Sequence, residues 1–228
     1  MAELLIEMKG LSKVFRRDSV EIPVLRDINL RVFAGDFISL MGPSGSGKTT
    51  LLNIVAGIDR PTGGELRVIE SDLLSMTEDQ LATWRNHHDG FVFQHFNLIP
   101  VLTAFGNVEL PLLLTSLNRR ERREHVTTAL KLVGLTDRAD HYPRQLSGGE
   151  EQRVAIARAI VTDPTFVLAD EPTGDLDAES AVEVMEVLAG LNQQFNKTIL
   201  LVTHDPRAAA YAKVRHHLDK GVLVEKSS

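Results

Sequence analysis

Residues 42–49 read Gly42-Pro43-Ser44-Gly45-Ser46-Gly47-Lys48-Thr49 and separate two apolar segments of different pattern. The segment before them, Phe37-Ile38-Ser39-Leu40-Met41, is almost continuously apolar, which is typical of a buried strand. The next segment, which shares Thr49 with the loop and extends to Ala56, has helical spacing and stops at Gly57. A strand, a glycine-rich loop and a helix in this order form the context in which phosphate-binding loops occur.

The residue types of this loop suit a polyphosphate. Its glycines let backbone N–H groups curl around phosphate oxygens at the positive end of the helix. Lys48 brings a point charge to the β and γ phosphates, and the Thr49 hydroxyl can ligate Mg²⁺. We predict nucleotide contacts along the whole stretch from Gly42 to Thr50. A Gly/Ser turn that only precedes a helix is the alternative, but both spacing and context match the binding loop.

Two acidic residues follow a second buried segment. Phe166-Val167-Leu168-Ala169 is apolar and runs into Asp170-Glu171. Phosphoryl transfer needs a carboxylate near the metal ion at the end of a neighbouring strand, and Asp170 suits that role. Glu171 can then act as the base that polarises the attacking water. Helix capping is the alternative role for two such acids, but the buried strand before them favours catalysis.

A histidine follows the third buried segment. His204 comes after Thr198-Ile199-Leu200-Leu201-Val202, at the carboxyl end of a strand, where open α/β sheets bind their ligands. Taken alone, a solvated loop histidine is the better interpretation. Beside the other two motifs, His204 is a candidate for contact with the γ phosphate.

A second glycine pair opens another predicted helix. Ser147-Gly148-Gly149-Glu150 precedes a helical pattern that begins near Gln152, and it forms a second potential anion-binding N-terminus. One chain with two such helix starts predicts that two chains share a nucleotide.

Composition limits the possible partners. With 228 residues, the chain can form one substantial α/β domain. It has neither a long apolar run nor a signal-peptide pattern, so we expect it in the cytoplasm. A net charge of -6 gives no general attraction to nucleic acid or anionic lipid, so we expect no nucleic-acid partner and membrane contact only through another protein. The absence of cysteine excludes disulfides and thiolate metal sites.

We predict that residues 1–228 form one domain with an α/β phosphate-loop core. Residues 1–77 and 136–228 supply the core and an N-terminal antiparallel β layer, because Ile6 to Leu30 alternates around a turn near Arg17-Asp18. Residues from about 78 to 135 have a helical pattern, with no strongly apolar strand after Phe91-Val92-Phe93, and we expect them to form an inserted helical subdomain.

Two segments of that insertion have ordinary interpretations. His87-His88-Asp89 contains metal-ligand residue types, but its spacing does not suit a structural metal site, so we expect it on the surface. Leu110-Pro111-Leu112-Leu113-Leu114 is core by default.

Together these motifs resemble the nucleotide-binding domains of ABC transporters over nearly the whole chain. Leu146-Ser147-Gly148-Gly149-Glu150 is similar to the signature loop of that family, and Asp175-Leu176-Asp177 is similar to its D-loop. Gln94 resembles the Q-loop glutamine, His204 the switch histidine, and Phe15 the aromatic residue that stacks on adenine.

The resemblance implies a homodimer with shared ATP sites. ATP would lie between Lys48 of one subunit and the loop Ser147–Glu150 of the other, with Phe15 and Asp177 as further nucleotide contacts. Gln94 would join Thr49 and Asp170 as a ligand of Mg²⁺. The implied catalytic residues are Lys48, Gln94, Glu171 and His204, and Gln94 would also link the metal to an integral-membrane permease.

Longer segments resemble one branch of the family. Residues 90–100 and 168–177 are similar to the lipoprotein-releasing LolD, macrolide-export MacB and cell-division FtsE ATPases. This implies an ATPase on the cytoplasmic face of the inner membrane that powers export or the extraction of lipoprotein or lipid. Many members carry Asn where this chain has Asp175 and Gln where it has Glu151. Both acids lie near a helix start, where negative charge is tolerated.

Three other functions need to be weighed. A GTPase needs Asn-Lys-x-Asp, and Asn196-Lys197 is followed by Thr198-Ile199. A DNA-repair ATPase of the same superfamily needs a long coiled coil or a DNA-binding domain, and neither is visible. An FtsE-like ATPase that signals across the membrane to a cell-wall enzyme stays open, because nothing in the ATPase motifs separates it from a transporter subunit.

Overall fold

The computed structural model describes residues 2–224. Its strands are β1 (Leu4–Arg17), β2 (Val20–Phe33), β3 (Phe37–Met41), β4 (Gly63–Val68), β5 (Asp89–Val92), β6 (Phe166–Asp170), β7 (Thr198–Thr203), β8 (Val214–Asp219) and β9 (Val222–Val224). Its α-helices are α1 (Lys48–Val55), α2 (Glu78–His88), α3 (Ala104–Glu109), α4 (Arg119–Leu132), α5 (Gly148–Ile160), α6 (Ala178–Phe195) and α7 (Pro206–Ala209). Met1 and residues 225–228, which the predicted domain includes, lie outside the described residues.

The N-terminal layer is a three-stranded antiparallel sheet in the order β2-β1-β4. The chain reverses between β1 and β2 at Asp18, whose φ of 56° is in the left-handed region that tight turns use. Ile6 and Met8 of β1 are buried, while Glu7 between them forms an ion pair with Arg31 of β2. This alternation is the period-2 pattern of the sequence, and it gives the layer one apolar face.

The main sheet has six strands in the order β5-β6-β7-β3-β8-β9. All neighbouring pairs from β5 to β8 are parallel, and only β9 runs antiparallel. Phe166 and Leu168 of β6 belong to one apolar cluster, whereas Val167 and Ala169 belong to the other. Both faces of the sheet are therefore covered, which explains why the central strands have continuous apolar sequences.

The helices pack into two apolar clusters, one on each face of the main sheet. α1 and α2 pack with the antiparallel layer on one face of the main sheet, through residues that include Leu52 and Trp84. α3, α4, α5 and α6 contribute to the cluster on the other face, through residues that include Val108, Leu130 and Leu188. The described helices include none that is both long and apolar enough to span a bilayer.

The segment from about 78 to 135 has two different environments. β5 pairs with β6 as the edge strand of the main sheet, and the Trp84 ring of α2 lies 6.0 Å from the Phe166 ring of β6. α3 and α4 instead pack against each other and against α5. Within the turn that follows α3, Leu112 is buried, whereas Leu114 is 78% exposed. The apolar run Leu110–Leu114 is thus only partly core.

Asp89 is only partly exposed, although His87-His88-Asp89 was expected on the surface. It is the first residue of β5 and pairs with Phe166, and its Oδ1 is buried without a hydrogen-bond partner among the described residues. Burial raises the pKa of the Asp89 carboxyl from 3.8 to about 7, and the positive charge of Arg85 only partly opposes this effect. Because Asp89 is the first residue of β5, the pairing of β5 with β6 places it at the start of the edge strand.

Replacing Asp89 with Asn should reduce the loss of folding stability that occurs as the pH rises from about 5 to about 8. Between pH values of 3.8 and about 7, the folded parent holds a proton that the unfolded chain has released, so its free energy of unfolding falls as the pH rises. From about pH 5 to about pH 8 we expect the parent to lose about 2–3 kcal/mol through Asp89, and Asp89→Asn to lose none of it. Denaturant unfolding at both pH values measures this difference.

The matched control is Asp140→Asn, which removes an exposed carboxylate and should keep the pH dependence of the parent. If Asp89→Asn and the parent lost equal stability over this range, the account of Asp89 would be wrong.

Candidate functional site

The loop between β3 and α1 has the backbone conformation that its glycines permit. Gly45 and Gly47 have φ of 77° and 102°, and Gly47 is the residue that precedes the first turn of α1. A Cβ on Gly47 would lie 2.8 Å from the carbonyl oxygen of Val24, and a Cβ on Gly42 would lie 2.1 Å from that of Leu218. Glycine is therefore required both by conformation and by the close approach of β2 and β8.

Lys48 is buried at the start of α1, where its ammonium has three partners. Its Nζ donates to the carbonyl oxygens of Gly42 at 2.9 Å and Pro43 at 3.1 Å, and it lies 3.5 Å from Oε1 of Glu171. Only 6% of the Lys48 residue is exposed. The fixed charge is thus held at the mouth of the loop, where a phosphate oxygen can replace the carboxylate of Glu171.

Asp170 and Thr49 meet across the gap between β6 and α1. The Thr49 hydroxyl donates to Oδ1 of Asp170 at 3.1 Å. Burial raises the pKa of Asp170, a hydrogen bond from Thr49 opposes this, and the negative charge of Glu171 adds to it. A hydroxyl beside a poorly compensated carboxylate provides oxygen ligands of the kind that Mg²⁺ prefers.

Glu171 and His204 form a hydrogen-bonded pair at the ends of β6 and β7. Nδ1 of His204 lies 2.7 Å from Oε2 of Glu171, and the backbone N–H of His204 donates to the same oxygen at 3.3 Å. Since an ionised carboxylate only accepts, Nδ1 carries the proton and Nε2 is left for another partner. Glu171 has φ of 50°, and its N–H donates to the carbonyl of Val202 at 2.9 Å. In this conformation, Oε1 of Glu171 lies 3.5 Å from the Lys48 ammonium.

A cleft of about 670 Å³ brings most of the predicted residues together. It is lined by Val24, Pro43, Ser44, Gly45, Gly47, Lys48, Thr49, Thr50, Gln94, Glu171 and His204. Gln94 comes from the loop after β5, so the cleft joins the ends of three parallel strands to the phosphate-binding loop.

Ser147–Glu150 lie outside this cleft, at the start of α5. The Ser147 hydroxyl accepts a hydrogen bond from the N–H of Glu150 at 3.2 Å, and the Glu150 carboxylate accepts one from the N–H of Ser147 at 2.8 Å. The bond from Ser147 is the main reason that the pKa of Glu150 is lowered. A Cβ on Gly149 would lie 2.8 Å from Cβ of Ser180, so this glycine lets α5 and α6 approach closely. The second glycine motif is therefore a separate site.

Phe15 and Asp177 also lie away from the cleft lining. Phe15 is on β1 opposite Ile22, is 42% exposed, and has the Lys13 ammonium 4.6 Å from its ring centre. Asp177 caps α6 by accepting from the N–H groups of Glu179 and Ser180, each at 3.0 Å. Hydrogen bonds from Ser180 are the main reason that its pKa is lowered.

The comparisons with known proteins agree with these motifs. The family model for the ABC transporter domain matches residues 25–174. The chain belongs to the ABC transporter family. Both the resemblance read from the motifs and the predicted fold are confirmed, and the chain is an ATP-binding cassette with ATPase activity.

Curated members of the family match over nearly the whole chain. The lipoprotein-releasing system ATP-binding protein LolD of Chromohalobacter salexigens is 43% identical over 98% of this chain and 94% of its own length. The macrolide export ATP-binding/permease protein MacB of Syntrophobacter fumaroxidans is 45% identical over 98% of this chain, which spans 32% of that relative. Among solved structures, the ATP-binding cassette MJ0796 in a dimeric post-hydrolysis state with ADP and Pi gives a TM-score of 0.90 at 40% identity, covering 98% of both chains.

Two residues near the cassette's cleft were not predicted from the sequence. Val24 lines the cleft from β2, 18 residues before the glycine-rich loop begins, and no local motif marks it. Gln152 of α5 is fully buried, and its Nε2 donates to the carbonyl oxygens of Phe93 at 3.1 Å and Pro172 at 2.8 Å. A polar residue on the buried face of a predicted helix was the one signal that could have identified Gln152.

Replacing Lys48 with Ala should weaken ATP binding itself. Hydrogen bonds to charged groups contribute roughly 1.5–3 kcal/mol, so we expect the affinity for ATP to fall about 10- to 100-fold. Isothermal titration calorimetry measures the affinity, and circular dichroism checks that the variant is folded. Lys131→Ala removes an exposed ammonium on α4 and serves as the control. Equal ATP affinity in folded Lys48→Ala and the parent would contradict the role given to Lys48.

Proposed function

We propose that the chain is the ATP-hydrolysing subunit of a transporter, and that two copies close around two ATP molecules to drive an integral-membrane permease. The observation that carries this proposal is the separation of two glycine-rich helix starts in one chain. α1 begins in the cleft, whereas α5 begins outside it. Because no residue at the start of α5 lines the cleft at α1, one nucleotide would contact both helix starts when it lies between two copies.

In the closed dimer, the loop Ser147–Glu150 of one copy would cover the ATP held by Lys48 of the other. The hydroxyl of Ser147 and the backbone at Gly148 and Gly149 would face the γ phosphate, and Glu150 would fix the loop through its bond to Ser147. The dimeric state of the related MJ0796 cassette with ADP and Pi supports this arrangement. Phe15, which is partly exposed, would stack on adenine, and Asp177 would contact the nucleotide from the start of α6.

Each of these cleft residues would have a separate role in ATP hydrolysis. Lys48 neutralises charge on the β and γ phosphates. Glu171 accepts a proton from water as the water oxygen bonds to the γ phosphorus, while the bond to the bridging oxygen breaks and its electron pair stays with ADP. His204 holds Glu171 through Nδ1 and, when Nε2 also carries a proton, donates from Nε2 to the γ phosphate. Positioning and electrostatic stabilisation supply most of the rate acceleration.

Mg²⁺ is the metal that these residues suit. Thr49, Asp170 and Gln94 offer a hydroxyl, a carboxylate and a carboxamide oxygen, which are hard ligands. The raised pKa of Asp170, caused mainly by burial, fits a position where a cation supplies the missing charge compensation. When bound with ATP, the ion would offset negative charge on the transferred phosphate.

The membrane partner would be a permease, and the chain would sit on the cytoplasmic face of the inner membrane only through it. The segment from Phe96 to Pro100, which follows Gln94, and the exposed side chains of Val101 and Leu114 are candidate contacts. The names of the related MacB and LolD proteins support export or the extraction of lipoprotein or lipid as the transported process. The FtsE-like signalling function, by contrast, has no observation in its favour.

Replacing Glu171 with Gln should separate binding from hydrolysis. The substitution keeps size and hydrogen-bonding capacity but removes the base, so ATP should bind with affinity close to that of the parent while turnover falls roughly 100-fold or more. ATP-bound dimers should then accumulate, which size-exclusion chromatography with light scattering measures. Glu186→Gln makes the same change on the exposed face of α6 and should hydrolyse ATP at the parent rate. Near-parental turnover in Glu171→Gln would exclude the assigned base.

A further inference from the structure

The loop after β5 and the loop after β6 are tied together at three levels. At the base, buried Gln152 donates to the carbonyl oxygens of Phe93 and Pro172, one in each loop. In the middle, a Cβ on Gly174 would lie 3.1 Å from Nε2 of Gln94, so the carboxamide of Gln94 packs against a backbone without a side chain. At the tip, Asp175 contacts the first loop directly.

Both carboxylate oxygens of Asp175 are used. Oδ1 accepts a hydrogen bond from Nε2 of Gln94 at 3.1 Å, and Oδ2 lies 2.7 Å from Nδ1 of His95. Two neighbouring residues of one loop thus hold a single side chain of the other. The two contacts use different oxygens, so the bond from Gln94 to Oδ1 does not require His95.

A carboxylate in this position limits which end of the Gln94 carboxamide can face it. An ionised carboxylate only accepts hydrogen bonds, while a carboxamide has one donating and one accepting end. The nitrogen of Gln94 must therefore point to Asp175, which leaves Oε1 as the free end of a side chain that lines the cleft with Thr49. An asparagine at position 175 would donate as well as accept, so it would tolerate either orientation.

We infer that Asp175 is a positioning residue that selects the orientation of the Gln94 carboxamide and presents its oxygen to the cleft. The inference rests on the proposed function, in which Gln94 is an oxygen ligand for Mg²⁺ bound with ATP. A magnesium ion takes the oxygen of a carboxamide and not its nitrogen. Asp175 therefore acts through Gln94 on the metal, and it touches neither metal nor nucleotide in this role.

The experiment measures how much Mg²⁺ strengthens ATP binding. In the full chain carrying Glu171→Gln, which prevents turnover, ATP affinity is measured by calorimetry with EDTA and with saturating MgCl₂. The ratio of the two affinities is the magnesium effect. Loss of one hydrogen bond that fixes Gln94 should reduce this ratio about fivefold in Asp175→Ala, with affinity in EDTA unchanged. Asp175→Asn should fall between Asp175→Ala and the parent.

His95→Ala is the matched control, because it removes the other partner of Asp175 and leaves the bond to Gln94 in place. It should keep the magnesium effect of the parent. Side-chain amide NMR gives an independent readout: the NH₂ signals of Gln94, assigned by their loss in Gln94→Glu, should shift in Asp175→Ala and stay in place in His95→Ala.

The outcomes separate the two proposals. Suppose that the chain carrying only Glu171→Gln binds ATP more tightly with Mg²⁺, and that adding Asp175→Ala changes neither this magnesium effect nor the Gln94 signals. The positioning role is then wrong, and the proposed function stands. If Mg²⁺ does not strengthen ATP binding by the parent, the proposed metal site fails, and this inference fails with it.

Discussion

The parallel pairing of β6, β7 and β3 is the constraint on which the rest of the structure depends. In this register Met41 lies opposite Thr203, and Asp170 lies opposite Val202, so three strands end at one edge of the sheet. Each strand continues directly into a residue or loop of the cleft. The pairing of the strands therefore brings the cleft residues together, and no long loop has to fold over to do so.

The buried Lys48 ammonium offsets part of the negative charge that Glu171 and Asp170 bring to this cleft. The Lys48 ammonium faces Glu171, Glu171 bonds to His204, and Asp170 bonds to Thr49. Removing one partner of a buried ion pair leaves the other charge uncompensated. A polyphosphate with its metal ion supplies both signs of charge, and it can take over these contacts without leaving a charge unpaired.

Much of the fold and the cleft could be predicted because the relevant signals are local. The buried strands are continuous apolar runs, and the residues of the glycine-rich loop, Asp170, Glu171 and His204 follow them immediately in sequence. The places of α2 and β5 in the main core were not predicted, because a four-residue strand starting at Asp89 has too little pattern to separate it from the helices around it.

Contacts between segments that are distant in the chain could not be predicted from the sequence. Gln94 and Asp175 are 81 residues apart, and Gln152 joins two loops through their carbonyl oxygens, which every residue possesses. No residue type or spacing encodes such pairs, since they depend on how β5, β6 and α5 pack. The assignments of Phe15, Asp177 and the loop Ser147–Glu150 to a nucleotide depend on a second copy and stay predictions.

The central claim is that each ATP site is built from two copies of this chain, and the dependence of ATPase activity on protein concentration tests it most directly. The rate per chain is measured over a dilution series of the parent, and mass photometry gives the monomer and dimer fractions at each concentration with ATP present. The account predicts that the rate per chain rises in proportion to the dimer fraction and vanishes where the chain is monomeric. A rate per chain that stays constant down to concentrations at which only monomer is present would contradict it.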